Sequence, residues 1–193
     1  MLFILTGGIR TGKTTWLQAC VGELEATGVP VRGVLAPGVW LDGEKLGIEN
    51  VLLPSRERVL LATPVNWGQS PINRCGWDFD PTALAHVNAH LAELRTRADE
   101  KDVRPGLLVI DEIGPLELRC GGGLTAGLEL LDAGPAPAWP HALVVVRAAL
   151  AEEVAARLQG AWGPVELVRP DESGARRLRE VLLGERSSHG PEN

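Results

Sequence analysis

Gly7-Gly8-Ile9-Arg10-Thr11-Gly12-Lys13-Thr14 satisfies the spacing GxxxxGK[ST] in full, and its place in the chain decides the fold. The apolar run at residues 1–6 precedes it and reads as a buried strand. After it, Leu17, Cys20, Val21 and Leu24 recur at helical spacing, and Gly28 supplies the stop. A strand that runs through glycines into a helix lets consecutive backbone N–H groups converge on an anion. The helix amino terminus adds partial positive charge at the same point. Lys13 can then reach β- and γ-phosphates, and the Thr14 hydroxyl can ligate Mg²⁺. The expected phosphate-binding set is Gly7, Gly8, Ile9, Arg10, Thr11, Gly12, Lys13, Thr14 and Thr15, with Thr15 supporting the α-phosphate. Arg10, on the outer curve, reads as a solvated residue or as a contact to phosphate or a partner.

A second stretch, Leu107-Leu108-Val109-Ile110-Asp111-Glu112, is an apolar strand that ends in two carboxylates. Beside a phosphate loop, an Asp at such a strand end holds Mg²⁺, so Thr14 and Asp111 are the expected metal pair. The Glu that follows can orient, or take a proton from, a water attacking the γ-phosphorus. One carboxylate thus serves the metal and the other the nucleophile, which favours hydrolysis over transfer to a bound alcohol.

Outward from these two stretches, strands are expected at 31–36, 58–62, 107–110, 142–146 and 165–168. Asp42-Gly43 between short apolar runs marks a hairpin near 38–63. Residues 63–80 carry turn signals and no periodicity, which reads as a loop. Asp80-Pro81 opens a helix with an apolar stripe through Leu84, Val87, Leu91, Leu94 and Ala98. Further helices are expected at 121–132, in the Ala-rich stretch ending at Gly160, and from Asp171 to about residue 183. Strands alternating with helices imply an α/β fold: a mostly parallel sheet flanked by helices, with the hairpin as an antiparallel excursion. One domain over residues 1–184 and a frayed polar tail over 185–193 are expected.

The 193 residues suit one globular domain. A formal charge of -6 argues against a chain that coats nucleic acid. No apolar run approaches the about 18 residues that span a bilayer, and the first residues lack the basic region of a signal peptide. Three cysteines, far apart, fit neither a disulfide framework nor a CxxC metal knuckle, so a reduced, cytoplasmic protein is expected. Only Lys13, Lys45 and Lys101 are lysines, against 16 arginines, which makes a lysine kept inside the glycine-rich loop more telling.

The loop at residues 7–15, the stretch Gly33-Val34…Asp42-Gly43…Gly47 and above all Asp111-Glu112-Ile113-Gly114-Pro115-Leu116-Glu117-Leu118 resemble the P-loop nucleoside-triphosphatase family that includes the cancer-related nucleoside-triphosphatase. The resemblance covers most of residues 1–183. It implies a RecA-like fold and hydrolysis of ATP, GTP and other nucleoside triphosphates with loose base selectivity; with the Thr14 and Asp111 reading above, Mg²⁺-dependent hydrolysis is expected. The chain departs from the family pattern at Arg10-Thr11, where Pro-Gly is common, and at Arg147, where many members have His. A nucleotide-dependent switch or assembly factor with slow hydrolysis is the alternative. A nucleoside or small-molecule kinase ranks below it, and a motor on nucleic acid lower still.

Other residues admit two readings each. Arg147 ends the strand at 142–146, at the carboxyl edge where ligands bind, and can sense or stabilise the γ-phosphate or simply be a surface arginine. With Glu112 and Lys13 it completes the expected catalytic set. Arg74 in the 63–80 loop can close over substrate or be part of a mobile loop. Trp40, Trp67 and Trp77 can stack on a base or fill a core edge. Asp171 is expected to be a helix cap, Glu117 a structural residue, Cys20 a core residue, and His86 with His90 solvated rather than a metal pair.

Overall fold

The computed structural model describes residues 1–8, 11–65, 76–100 and 102–184. The strands are β1 (Leu2–Gly7), β2 (Val31–Leu35), β3 (Gly38–Leu41), β4 (Glu44–Leu53), β5 (Arg58–Pro64), β6 (Trp77–Phe79), β7 (Leu107–Ile113), β8 (His141–Arg147) and β9 (Val165–Val168). The helices are α1 (Lys13–Ala26), α2 (Pro81–Thr96), α3 (Pro115–Arg119), α4 (Thr125–Ala133), α5 (Ala151–Trp162) and α6 (Glu172–Gly184). The described strands form one sheet in the order β6-β5-β4-β2-β7-β8-β1-β9, with β3 paired to β4.

The half that carries the glycine-rich loop is parallel throughout, pairing β2 with β7, β7 with β8, β8 with β1 and β1 with β9. Leu2, Phe3, Ile4 and Leu5 have no exposure, as a strand covered on both faces requires. On one face α1 and α6 pack Leu17, Val21, Leu24, Leu178 and Leu182 against Phe3, Leu5, Val109 and Val145. On the other, α2, α4 and α5 pack Val87, Leu91, Leu131, Val154 and Leu158 against Ile4, Ile110 and Val144. The buried residues of α1 are Leu17, Cys20, Val21 and Leu24, the set marked by the sequence spacing. α2 starts as expected: Asp80 Oδ1 accepts from the Thr82 and Ala83 amides at 2.7 and 3.3 Å, with Pro81 as first helical residue. Gly33 permits a close approach between β2 and β7. Its φ is +115°, and a Cβ there would lie 2.0 Å from the Val109 carbonyl oxygen.

The antiparallel part is wider than the expected hairpin. It runs from β2 through β4 and β5 to β6, with β3 on β4. β6 corrects the reading of 63–80 as loop throughout: Phe79, Asp78 and Trp77 pair with Ala62, Thr63 and Pro64. Three residues carry no periodicity of their own, so the partner strand makes this element. α3, between β7 and α4, is a second addition. Residues 66–75, with Trp67, Arg74 and Cys75, lie outside the described residues, as do Ile9, Arg10, Lys101 and the expected tail at 185–193. No described helix is long and apolar enough to cross a membrane.

Candidate active site

Parallel strands point their carboxyl ends one way, and three neighbours, β7, β8 and β1, bring the chemistry-bearing residues to that edge. Gly7 ends β1 and lies in register with Arg147 at the end of β8. On β8's other side, Asp111 is level with Val145 and Ile113 with Val146. β7 runs to Ile113 rather than stopping at 110, so Asp111 and Glu112 stand within the strand.

The loop is shaped by its glycines and by Thr11. Gly12 has φ +78° and stands where α1 begins, and the Trp16 amide donates to its carbonyl at 2.8 Å. Such a left-handed start favours glycine. The Thr11 hydroxyl donates to the Gly8 carbonyl at 2.9 Å and lies 2.9 Å from where a Cβ on Gly7 would be, so Gly7 leaves room for it. Lys13 lies back across the loop, its Nζ donating to the carbonyls of Gly8 at 2.7 Å and Gly7 at 3.2 Å. Thr15 is exposed on the first turn of α1.

Asp111 is the buried acid of the site, 1% exposed. Its Oδ2 accepts from the Ala36 amide at 3.0 Å, and its Oδ1 accepts from the Thr14 hydroxyl at 3.4 Å. Burial pushes its pKa up to about 6, and the neighbouring Glu112 adds to the rise. The Ala36 amide, the Thr14 hydroxyl and Lys13 act against it. A hydroxyl and a carboxylate facing each other are hard oxygen donors of the kind that could hold a divalent cation. Glu112 points elsewhere. Its Oε1 accepts from Arg147 Nε at 2.7 Å, with both side chains partly exposed.

The remaining residues sort by contact. Glu117 is structural: Oε2 accepts from the Gly114 amide and Oε1 from the Leu124 amide, each at 2.9 Å, tying the turn after β7 to the start of α4. Asp171 caps α6 through the Gly174 amide at 2.9 Å, and its carbonyl accepts from the Trp16 indole at 3.0 Å. His86 meets Glu57 at 2.8 Å while His90 meets the Gly33 carbonyl at 3.3 Å, so the two histidines diverge. No group of three or more His, Cys, Asp and Glu among the described residues is placed to hold a metal. Cys20 is buried, and that burial pushes its thiol up to about 11. Trp40 is exposed, and the Trp77 ring lies 4.8 Å from the Lys45 ammonium. The Ala36 amide, a backbone group just past β2, is the participant that side-chain patterns could not mark.

The NTPase family model matches residues 2–160. The nucleoside-triphosphatase THEP1 of Methanopyrus kandleri is 30% identical over 130 residues, 67% of this chain and 67% of that protein. THEP1 of Hyperthermus butylicus is 31% identical over 172 residues, 87% of this chain and 84% of that protein. The solution structure of a human cancer-related nucleoside triphosphatase aligns with a TM-score of 0.65 and 26% identity, over 98% of each chain. The crystal structure of THEP1 from Aquifex aeolicus aligns with a TM-score of 0.66 over 94% of this chain and 99% of that one; at 15% identity it shows the shared fold alone. A phosphate loop on a parallel sheet edge, two carboxylates two strands away and relatives along most of the chain converge: the chain belongs to the NTPase family and is a nucleoside-triphosphatase.

Proposed function

We propose that the chain hydrolyses nucleoside triphosphates to diphosphate and phosphate as their Mg²⁺ complexes, with little discrimination between bases. The observation that carries this reading is the meeting of Lys13, Thr14, Asp111 and Glu112 on one sheet edge. Backbone N–H groups of residues 7–15 and the start of α1 hold the α- and β-phosphates. Lys13 leaves its loop carbonyls to meet negative charge on the β- and γ-phosphates. Thr14 and Asp111 hold the metal, which when bound neutralises phosphate charge. Their fit rests on two hard oxygen donors 3.4 Å apart, the Thr14 hydroxyl and Asp111 Oδ1, while the other carboxylate oxygen is anchored by the Ala36 amide. Glu112 orients a water in line with the γ-phosphorus and takes its proton as the P–O bond to the β-phosphate breaks. Arg147, in register with Gly7 one strand away, meets charge at the terminal phosphate.

Loose base selectivity is favoured because Lys13, Thr14, Asp111 and Arg147, as read here, meet the phosphates and the metal, which all nucleoside triphosphates share. The phosphate loop reads the part of the substrate that all nucleoside triphosphates share. Phosphate release from ATP, GTP, CTP and UTP, each with Mg²⁺, tests this. Rates within about one order of magnitude across the four are expected, since a loop that holds the phosphates meets the same groups in each of them. Release from one base alone would overturn broad selectivity. Release only on adding an acceptor or a protein partner would favour the kinase or switch reading.

A further inference from the structure

The Arg147–Glu112 ion pair joins two residues that the reaction needs apart. Arg147 Nε donates to Glu112 Oε1 at 2.7 Å, which directs that oxygen to the guanidinium and away from a water. Arg147 also stands in register with Gly7, the first residue of the phosphate loop, so its base is fixed one strand from the polyphosphate. Both side chains retain solvent exposure, 59% for Arg147 and 36% for Glu112. Exposed pairs of this kind are weak and easily exchanged. A terminal phosphate carries more charge than a carboxylate and offers several oxygens to the guanidinium fork, so it is the stronger partner.

We propose that Arg147 clamps Glu112 until a triphosphate arrives: the terminal phosphate takes the guanidinium and leaves the Glu112 carboxylate free for the water. A diphosphate lacks the group that would take Arg147, so it leaves the pair closed. The exchange makes one residue both reader of the third phosphate and guard of the carboxylate. No bond is made or broken in it; the guanidinium passes from one anion to another. The proposal rests on the reading of Glu112 as the residue that orients water, and its test is a binding measurement that does not depend on turnover.

The test is a double-mutant cycle on affinity, with Glu112→Gln, Arg147→Ala and both together, titrated by calorimetry with a non-hydrolysable triphosphate analogue and with the matching diphosphate, each with Mg²⁺. If the clamp exists, Glu112→Gln releases Arg147 in advance and tightens triphosphate binding. Removing a repelling charge also tightens binding, but it does so whether or not Arg147 is present. The gain from Glu112→Gln should therefore be about threefold larger with Arg147 in place than in the Arg147→Ala background, the scale of an exposed pair. Arg147→Ala alone should weaken the triphosphate analogue about tenfold. Diphosphate affinity should stay within about twofold in every variant.

Arg147→Lys separates charge from fork geometry: it should recover part of the triphosphate affinity and leave the diphosphate untouched. Equal gains from Glu112→Gln in both backgrounds would overturn the clamp. So would equal losses of triphosphate and diphosphate affinity in Arg147→Ala, the mark of a merely structural residue. Thermal melts of the variants confirm that binding is measured on folded protein. If the cycle is additive while Glu112→Gln still abolishes phosphate release, the clamp fails and the hydrolytic reading stands. If the parent releases no phosphate, it is the reading of Glu112 that fails.

Discussion

Replacing Asp111 by asparagine should stabilise the metal-free protein while removing its hydrolytic activity. Asp111 is 1% exposed, and burial lifts its pKa from the ordinary 3.8 to about 6. For an acid, a folded-state pKa above the unfolded one means that the charged form destabilises the fold. The cost is absent below about pH 3.8, grows as pH rises through 6, and is complete above it. At about 1.4 kcal/mol per pH unit it amounts to roughly 3 kcal/mol at pH 8. The asparagine side chain would keep an oxygen for the Ala36 amide and lose the charge. In a chelator, denaturant melts at pH 8 should then show Asp111→Asn more stable than the parent by about 2–3 kcal/mol, with the difference shrinking towards zero near pH 4. Millimolar Mg²⁺ with nucleotide should stabilise the parent more than the variant. A variant no more stable than the parent at pH 8, or a gain that does not change with pH, would refute the argument that burial sets the state of this carboxylate.

Two further predictions concern the frame that holds the site. Glu117→Ala leaves the Gly114 and Leu124 amides without their acceptor and should cost about 1–3 kcal/mol in a denaturant melt, with Glu117→Gln losing less. An unchanged midpoint for the Ala variant would remove Glu117 as the brace of the turn after β7. Gly33→Ala should destabilise by more than about 3 kcal/mol, because its Cβ would lie 2.0 Å from a backbone oxygen at a φ that L-residues rarely adopt; a soluble variant with a near-parent melt would contradict that.

What was legible in the chain is what is local. The phosphate loop, the Asp111-Glu112 pair and the apolar face of α1 each lie within one short window, and their spacing carries the physics of a strand, a turn or a helix. The Asp80 and Asp171 caps were legible for the same reason. β6 was not, because Trp77–Phe79 becomes a strand only beside β5. α3 was hidden by its length, since a five-residue helix shows no full period. The site's long-range contacts were out of reach. Asp111 is held by the backbone amide of Ala36, which has no side-chain signature, and Arg147 meets Glu112 across 35 residues because β7 and β8 are neighbours. Residue type and spacing thus marked the candidates, while strand order set who faces whom.

The proposed hydrolytic mechanism turns on Glu112 orienting the attacking water, and phosphate release by Glu112→Gln beside the parent, with nucleotide affinity measured on the same samples, tests that step. The variant is expected to bind Mg²⁺-triphosphate no more weakly than the parent and to lose at least ~100-fold in turnover, the scale of a lost general base. Turnover close to the parent's, with nucleotide still bound, would remove Glu112 from the mechanism.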